Sequence, residues 1–375
     1  MLKIIKFFIT PVYPYGNDHY YHEIIAVAEG FKELGVKIIG NCNYWFEPET
    51  NAYLIQEDND NTDFDLAIYD YRYVTSFAHL LFRKGYPNFD KTKKHILIDR
   101  NDWLKPIWWK NDDYKIFDLI LAGNIYSDVL YANNVKPWAI GLTNRIIKAI
   151  DSNYSESNKR ENATGYNFRV DHNMRGYLLK NLILDLKKYP ATQKFTQPNF
   201  DVLNEEHYYK KSSKRHSSPY YKVLCDSKFF MAFGGYYEFE PIRYLPYTFV
   251  DKLLRKPAYW KYKILKKQHR DFSDEIFIFQ HDNFRFWEVL YSGAIAINLN
   301  LEYWKFQLPV MPVSGIHYLG IEKLKDFNLE NKMTKYSERE LENISTNARR
   351  WVFENYSPRA QANRIVDYLK IIKKL

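Results

Sequence analysis

The chain predicts an α/β fold of two domains, and three observations predict it. Its 375 residues exceed what one domain commonly holds. Through the first 150 residues, short apolar runs alternate with segments of helical periodicity, the rhythm of a parallel, doubly wound sheet. The alternation resumes after Asp151 to Gly165, fifteen residues with almost no apolar content.

The first strand is expected at 4–9. A helix over 20–34 stops at Gly35, and a strand at 36–39 completes one strand, helix, strand unit. Further strands fall at 66–69, 95–98 and 119–122. The stretch 151–165 reads as a linker, giving domains at 1–150 and 163–357. Beyond it come a helix at 173–188, a polar and basic stretch through Ser218, a strand at 229–233, an insertion over 236–275, a strand at 276–279, a helix at 284–291 and a strand at 294–298. Two last helices, 337–356 and 358–375, break at Ser357-Pro358, because proline opens a helix but cannot continue one.

Composition excludes some classes. With 46% hydrophobic and 26% charged residues the chain can build a core, which rules out a disordered chain. Its 54 Lys and Arg against 45 Asp and Glu, a formal charge of +9, suit a polyanion, a phosphorylated small molecule or an anionic membrane surface without choosing among them. Cys42 and Cys225 are too few and too far apart in sequence for a disulfide framework or a four-ligand zinc site, so a reducing, cytoplasmic setting is expected. The apolar run of residues 1–10 is interrupted by lysines and reads as a strand rather than a leader. No apolar run reaches 18 residues, which leaves only peripheral contact with the inner face of a membrane.

Three pieces of the second half carry a resemblance. They are 221–235 (YKVLCDSKFFMAFGG), 285–297 (RFWEVLYSGAIAI) and 347–357 (NARRWVFENYS). In this order they resemble the nucleotide-binding half of GT-B glycosyltransferases, especially exostosin-like enzymes and their bacterial family-1-like relatives. The likeness runs over about 163–375. It implies two Rossmann-like domains facing across a cleft, the acceptor on the first and a nucleotide diphosphate sugar on the second, with 358–375 packing back on the first domain. It also implies transfer of the sugar to a hydroxyl of a saccharide or glycoconjugate. Arg285, Lys228 and Arg175 would neutralise the diphosphate, Glu288 would hold the ribose, and Gly235 would line the donor site. No metal and no cofactor beyond the donor is expected.

The residues support that division. A helix opening near Phe284 directs free N–H groups and partial positive charge at its approach, a setting for phosphate. Arg285 adds a planar charged fork, and Glu288, one turn on, can accept from two hydroxyls. Gly293 suits a left-handed helix end. The sequence departs from the family in the 236–275 insertion, which shifts the equivalence of Gly234 and Gly235.

In the first half, the loop 10–19 follows the first strand, and ligands bind at the carboxyl ends of parallel strands. Asp18 or His19 is the expected acceptor base if the anomeric carbon inverts. The plain alternative is a helix cap at Asn17 or Asp18 with His22 and Glu23 on a solvated first turn. Asp99-Arg100-Asn101-Asp102 and then Asp70 with Arg72 are further candidates by position. Trp103, Trp108 and Trp109 suit sugar stacking, a membrane interface or plain packing.

Other readings stay open. Asp58-Asn59-Asp60 has the letters of a metal-dependent transferase, in a stretch of loop composition. The run 208–216 (YYKKSSKRH) reads as a solvated loop or, with the net charge, as a polyanion or nucleic-acid binding segment, although no stable nucleic-acid partner is expected. A cleft that binds a sugar nucleotide without catalysis is the third.

Overall fold

The computed structural model describes residues 2–10, 20–81, 90, 92–100, 112–166, 174–178, 191–192, 206, 209–210, 212, 216–238, 277–279, 282–323 and 329–372. In the first part, strands β1 (Ile4–Phe8), β2 (Lys37–Gly40), β3 (Tyr44–Glu47), β4 (Ala52–Glu57), β5 (Leu66–Asp70), β6 (Lys94–Asp99) and β7 (Leu119–Ala122) join β9 (Val135–Pro137) in one sheet. A short strand, β8 (Ile125–Tyr126), stands outside it. The sheet order is β3-β4-β2-β1-β5-β6-β7-β9, parallel throughout except where β3 meets β4. Because both faces are covered, successive residues of β1 enter different cores. Ile5 and Phe7 pack with helix α1 (His22–Glu33), whereas Phe8 packs with Tyr69, Tyr73 and Val74 beside α2 (Tyr71–Leu81).

The second sheet has the order β11-β10-β12-β15-β17, all parallel. Its strands are β10 (Glu161–Tyr166), β11 (Ala191–Thr192), β12 (Ser227–Met231), β15 (Ile295–Leu299) and β17 (Leu319–Ile321). Helices α3 (Asn144–Asn153), α4 (Ser218–Asp226) and α5 (Phe284–Ser292) precede the strands they serve. Gly293 ends α5 with φ 81°, the left-handed cap expected there. A pair of strands, β13 (Tyr236–Glu238) and β14 (Phe277–Phe279), and a second pair of β8 with β16 (Phe306–Gln307), are antiparallel and separate from the large sheets.

Two expectations are corrected here. The polar stretch 151–165 is not a linker throughout, since it finishes α3 and then supplies β10, which pairs with β12 near the middle of the second sheet. Ile146 and Ile150 of α3 are fully buried in that sheet's core. Counting apolar residues misses β10 because its buried positions are small: Ala163, Thr164 and Gly165. A Cβ on Gly165 would stand 2.4 Å from the Phe230 ring. Size rather than hydrophobicity is selected at that position. The strand expected at 276–279 exists, but it forms the base of the insertion by pairing with β13, not a member of the parallel sheet. Residues 239–276 of the insertion lie outside the described residues.

After α6 (Leu329–Thr334), helix α7 (Glu338–Tyr356) starts at a capping box in which Ser337 and Glu340 satisfy each other's backbone N–H groups. Helix α8 (Pro358–Ile372) then crosses to the first sheet, where Ala362, Ile365 and Leu369 join the core built on α1. The crossing is close. A Cβ added at Gly30 of α1 would lie 2.0 Å from the Pro358 carbonyl oxygen, so two backbones touch and no side chain can yield. Gly30→Ala should therefore lower stability by about 1–3 kcal/mol despite alanine's better helix propensity, read as a lower urea midpoint at pH 7. An unchanged or raised midpoint would show that α8 does not bear on α1 at this point.

Candidate functional site

The strands of the second sheet end along one edge, and α5 begins there. Asn283 is the reason. Its Oδ1 accepts from the Phe286 N–H at 3.3 Å, capping the helix, while its Nδ2 donates to the Ala232 carbonyl at 2.9 Å, fastening the helix start to the end of β12. Arg285 lies on the first turn and Glu288 one turn on. Arg175, in the helical residues 174–178, donates from Nε to the Phe233 carbonyl at 3.0 Å. Gly234 and Gly235 follow, buried, with Gly235 at φ 105°, a backbone region that disfavours any side chain. The structure thus brings Arg175, Gly235, Arg285 and Glu288 to one edge.

It does not bring Lys228 there. Lys228 stands at the opposite, N-terminal end of β12, where its ammonium pairs with Glu338 at the start of α7. Five residue steps, along β12 and just past its end, separate it from Phe233, about 16 Å at roughly 3.3 Å per step. The assignment of Lys228 to the diphosphate is corrected accordingly. The Ser-Lys-Phe motif opens the strand, whereas the binding edge is where the strand closes.

Glu288 is 3% exposed. His216 Nε2 lies 2.8 Å from its Oε1, and the Tyr220 hydroxyl donates to its Oε2. The tautomer of His216 follows from its other neighbour. Arg145 can only donate, and its Nη2 meets His216 Nδ1, so Nδ1 accepts and Nε2 carries the proton toward Glu288. Burial would raise the pKa of Glu288; His216, Tyr220 and the Arg285 charge outweigh it and hold the group at about 2. Tyr20 and His22, from the entry to α1, complete the enclosure. His22 Nε2 is 3.0 Å from the Gly141 carbonyl and must donate to it, so Nδ1 accepts from the Tyr20 hydroxyl at 2.9 Å. The Tyr20 ring packs against Trp45, His216 and Phe284.

Sequence reasoning missed three of these groups and misplaced others. His216 closes a run read as a solvated loop, yet it is 3% exposed and holds Glu288. The overlooked signal is Ser217-Ser218-Pro219 directly after it, a cap and first-turn proline that announce α4. Arg145 and Tyr220 carried no local signal, because their roles come from elements far apart in the chain. His22 and Glu23, read as a solvated first turn, are both buried, and the helix cap is Tyr21 without a side-chain cap bond.

At the first sheet the strand order reverses between β1 and β5, which makes a crevice at their carboxyl ends. Asp18 and His19 fall in 11–19, outside the described residues, as do Trp103, Trp108 and Trp109. Asp70 ends β5. Its Oδ2 accepts from the Arg72 and Tyr73 N–H groups at 2.9 and 3.4 Å, capping α2, and burial, partly offset by Arg72, pushes its pKa up to about 7. Arg100, just past β6, donates from Nε to Glu23 and from Nη1 to Asp282 across the cleft. Asp58-Asn59-Asp60 is instead part of a wrap over the sheet face. The Asn59 and Asn61 carbonyls accept from the buried Lys6 ammonium at 3.1 and 2.8 Å. Among the described residues no three His, Cys, Asp or Glu gather as a metal site, and no helix is long and apolar enough to cross a membrane.

No protein-family model matches the chain, and no curated protein matches it. Among solved structures it is similar to an alpha-glucosyltransferase in complex with UDP-glucose and DNA containing an abasic site, at 10% identity over 99% of each chain and a TM-score of 0.53. It is similar to a glycosyltransferase from Rickettsia africae ESF-5, at 12% identity over 99% of each chain and a TM-score of 0.53. It also resembles AviGT4, a glycosyltransferase involved in avilamycin A biosynthesis, at 11% identity over 100% of this chain and 99% of that one, with a TM-score of 0.50. The fold is therefore GT-B, two Rossmann-like domains facing across a cleft.

The enclosure makes a pH prediction. Burial, with His216 next, lowers the pKa of His22 to about 3, against an ordinary value of 6.5. The unfolded chain then binds a proton that the folded chain refuses between those values, so the contribution is complete above pH 6.5 and falls as the pH drops toward 3. From pH 6.5 to 5 this group alone should cost about 2 kcal/mol of stability, and His22→Gln should flatten the loss in urea titrations. An equally steep loss in the variant would assign the effect elsewhere.

Proposed function

We propose that the chain is a glycosyltransferase that takes a nucleotide diphosphate sugar at the start of α5 and passes the sugar to a hydroxyl of a saccharide or glycoconjugate, without a metal ion. The observation that carries this reading is the capped N-terminus of α5. It presents Arg285 and the buried, ionised Glu288 at the same edge as Arg175 and Gly235. The helix N-terminus and two arginines supply positive charge where charge grows on a leaving diphosphate. The neighbours in fold point the same way, since one holds UDP-glucose. Kinship with exostosin-like enzymes rests on the three sequence motifs. The part built on the first sheet serves the acceptor and the part built on the second the donor, with the work in the cytoplasm or at the inner face of a membrane.

For Glu288 to hold a ribose, the sugar's hydroxyls must reach the remaining acceptor sites of its two oxygens beside the His216 N–H and the Tyr220 O–H, or displace those donors. Titration calorimetry against UDP, GDP, ADP and CMP tests the donor site. One nucleoside diphosphate should bind equally well with and without EDTA, and Glu288→Ala should weaken it at least tenfold, about 1.4 kcal/mol. Binding lost in EDTA would overturn metal independence. Failure of every nucleotide, with salt-sensitive binding to DNA instead, would favour a polyanion-binding protein.

The acceptor proton goes to the crevice of the first sheet. Asp18 and His19 are the bases expected from sequence, and Asp70 joins them on position and on a pKa near neutrality. Asp70→Asn keeps the helix cap, because asparagine caps as well as aspartate. It should leave the melting temperature within about 2 °C and lower turnover about 100-fold or more. Full turnover in the variant would return the role to Asp18 or His19.

A further inference from the structure

Arg100 joins groups from two distant points of the chain. Its Nε is 2.7 Å from Glu23 Oε1 and its Nη1 is 3.0 Å from Asp282 Oδ2. The three side chains are 10%, 11% and 0% exposed, so the bonds lie beneath the surface of the cleft. Asp282 Oδ2 also accepts from the Ile140 N–H at 2.8 Å, and its Oδ1 accepts from the Trp287 indole at 2.5 Å. The next residue is Asn283, the cap of α5. Gly123 makes room for the guanidinium, since a Cβ there would stand 2.3 Å from Arg100 Nη1.

A carboxylate as buried as Asp282 is tolerated only when its oxygens are bonded and its charge is met. Arg100 meets the charge from the first domain, Ile140 from the segment between the sheets and Trp287 from α5 itself. The guanidinium spans Glu23 and Asp282 with two separate N–H groups in one plane, which a lysine ammonium cannot reproduce at both distances.

We propose that Arg100 is a positioning residue of the donor site: by tying the carboxyl edge of the first sheet to the residue before the α5 cap, it sets where the helix N-terminus and Arg285 stand in the cleft. The proposal rests on reading that helix start as the diphosphate site. Misplacing such a terminus by about 1 Å is enough to weaken what it holds, because hydrogen bonds to phosphate oxygens are steep in distance. A purely architectural clamp would affect unfolding without changing affinity in the folded protein.

The test uses the full chain, with UDP, GDP and ADP as probes, at a temperature where every variant is folded. Arg100→Met should lower the melting temperature by about 10 °C, because Glu23 and Asp282 are left facing each other unpaired. It should also weaken the bound nucleoside diphosphate at least tenfold, with Arg100→Lys recovering only part of either loss. In Arg100→Met/Asp282→Asn the charge at Asp282 is gone and only that of Glu23 remains, so the melting temperature should recover in part while affinity stays weak. Affinity that is unchanged in Arg100→Met, or that recovers with stability in the double variant, overturns the proposal. If the wild type binds none of the three nucleotides, the reading of the donor site fails. Amide exchange then decides the clamp by itself: faster exchange at 284–287 with β15 unchanged supports it, and no change removes it.

Discussion

The arrangement of this protein depends on how one buried carboxylate is satisfied. Asp282 receives a charged donor from the end of β6, a backbone N–H from Ile140 and the indole of its own helix. Each bond answers the cost of burying the charge, and together they tie both sheets and the first turn of α5 to one point. Trp287, held through its nitrogen, carries this order into the second core, where its ring packs against Tyr356 with centroids 4.2 Å apart. The end of α7 is thereby linked to the beginning of α5. From Tyr356 the chain turns at Ser357 and returns to the first sheet as α8.

This construction explains why the candidate site is rich in titratable groups whose pKa values are far from ordinary. Glu288 and His22 occupy the same enclosure and both have lowered values, for opposite reasons of charge. The carboxylate is kept ionised by donors that outweigh its burial, and the imidazole is kept neutral by burial. A site that holds a fixed anion beside Arg285 and Arg145 has its charges arranged before any ligand arrives. Such preorganisation is what transfer from a phosphate leaving group uses.

The parts of the fold legible in the sequence were those with a local cause. The strand at Leu119–Ala122 is a continuous apolar run, the break at Ser357-Pro358 follows from proline chemistry, and Gly293 marks the end of α5 by its left-handed cap. The helix carrying Arg285 and Glu288 was visible because its motif compresses an arginine, a glutamate and a terminal glycine into the short run 285–293. What escaped were β10, whose buried residues Ala163, Thr164 and Gly165 are small, and His216, whose neighbours in sequence are basic and polar although its neighbours in space are aromatic.

By itself, the sequence determined that this protein is an α/β molecule of two parts with a helix opening near Phe284 in the second, since periodicity and helix-end chemistry act over a few residues and need no distant partner. Only the tertiary structure decided which charges meet. Lys228 and Arg175 look alike as nearby basic residues of the second half, but a parallel strand sends its two ends to opposite edges of the sheet, so Glu338 takes one and the Phe233 carbonyl the other. Tyr20, Arg145, His216 and Glu288 are separated by up to 268 positions and share one enclosure because two sheets close on each other. No rule of spacing encodes such a meeting, because it depends on the burial of surfaces that exist only after both sheets have formed.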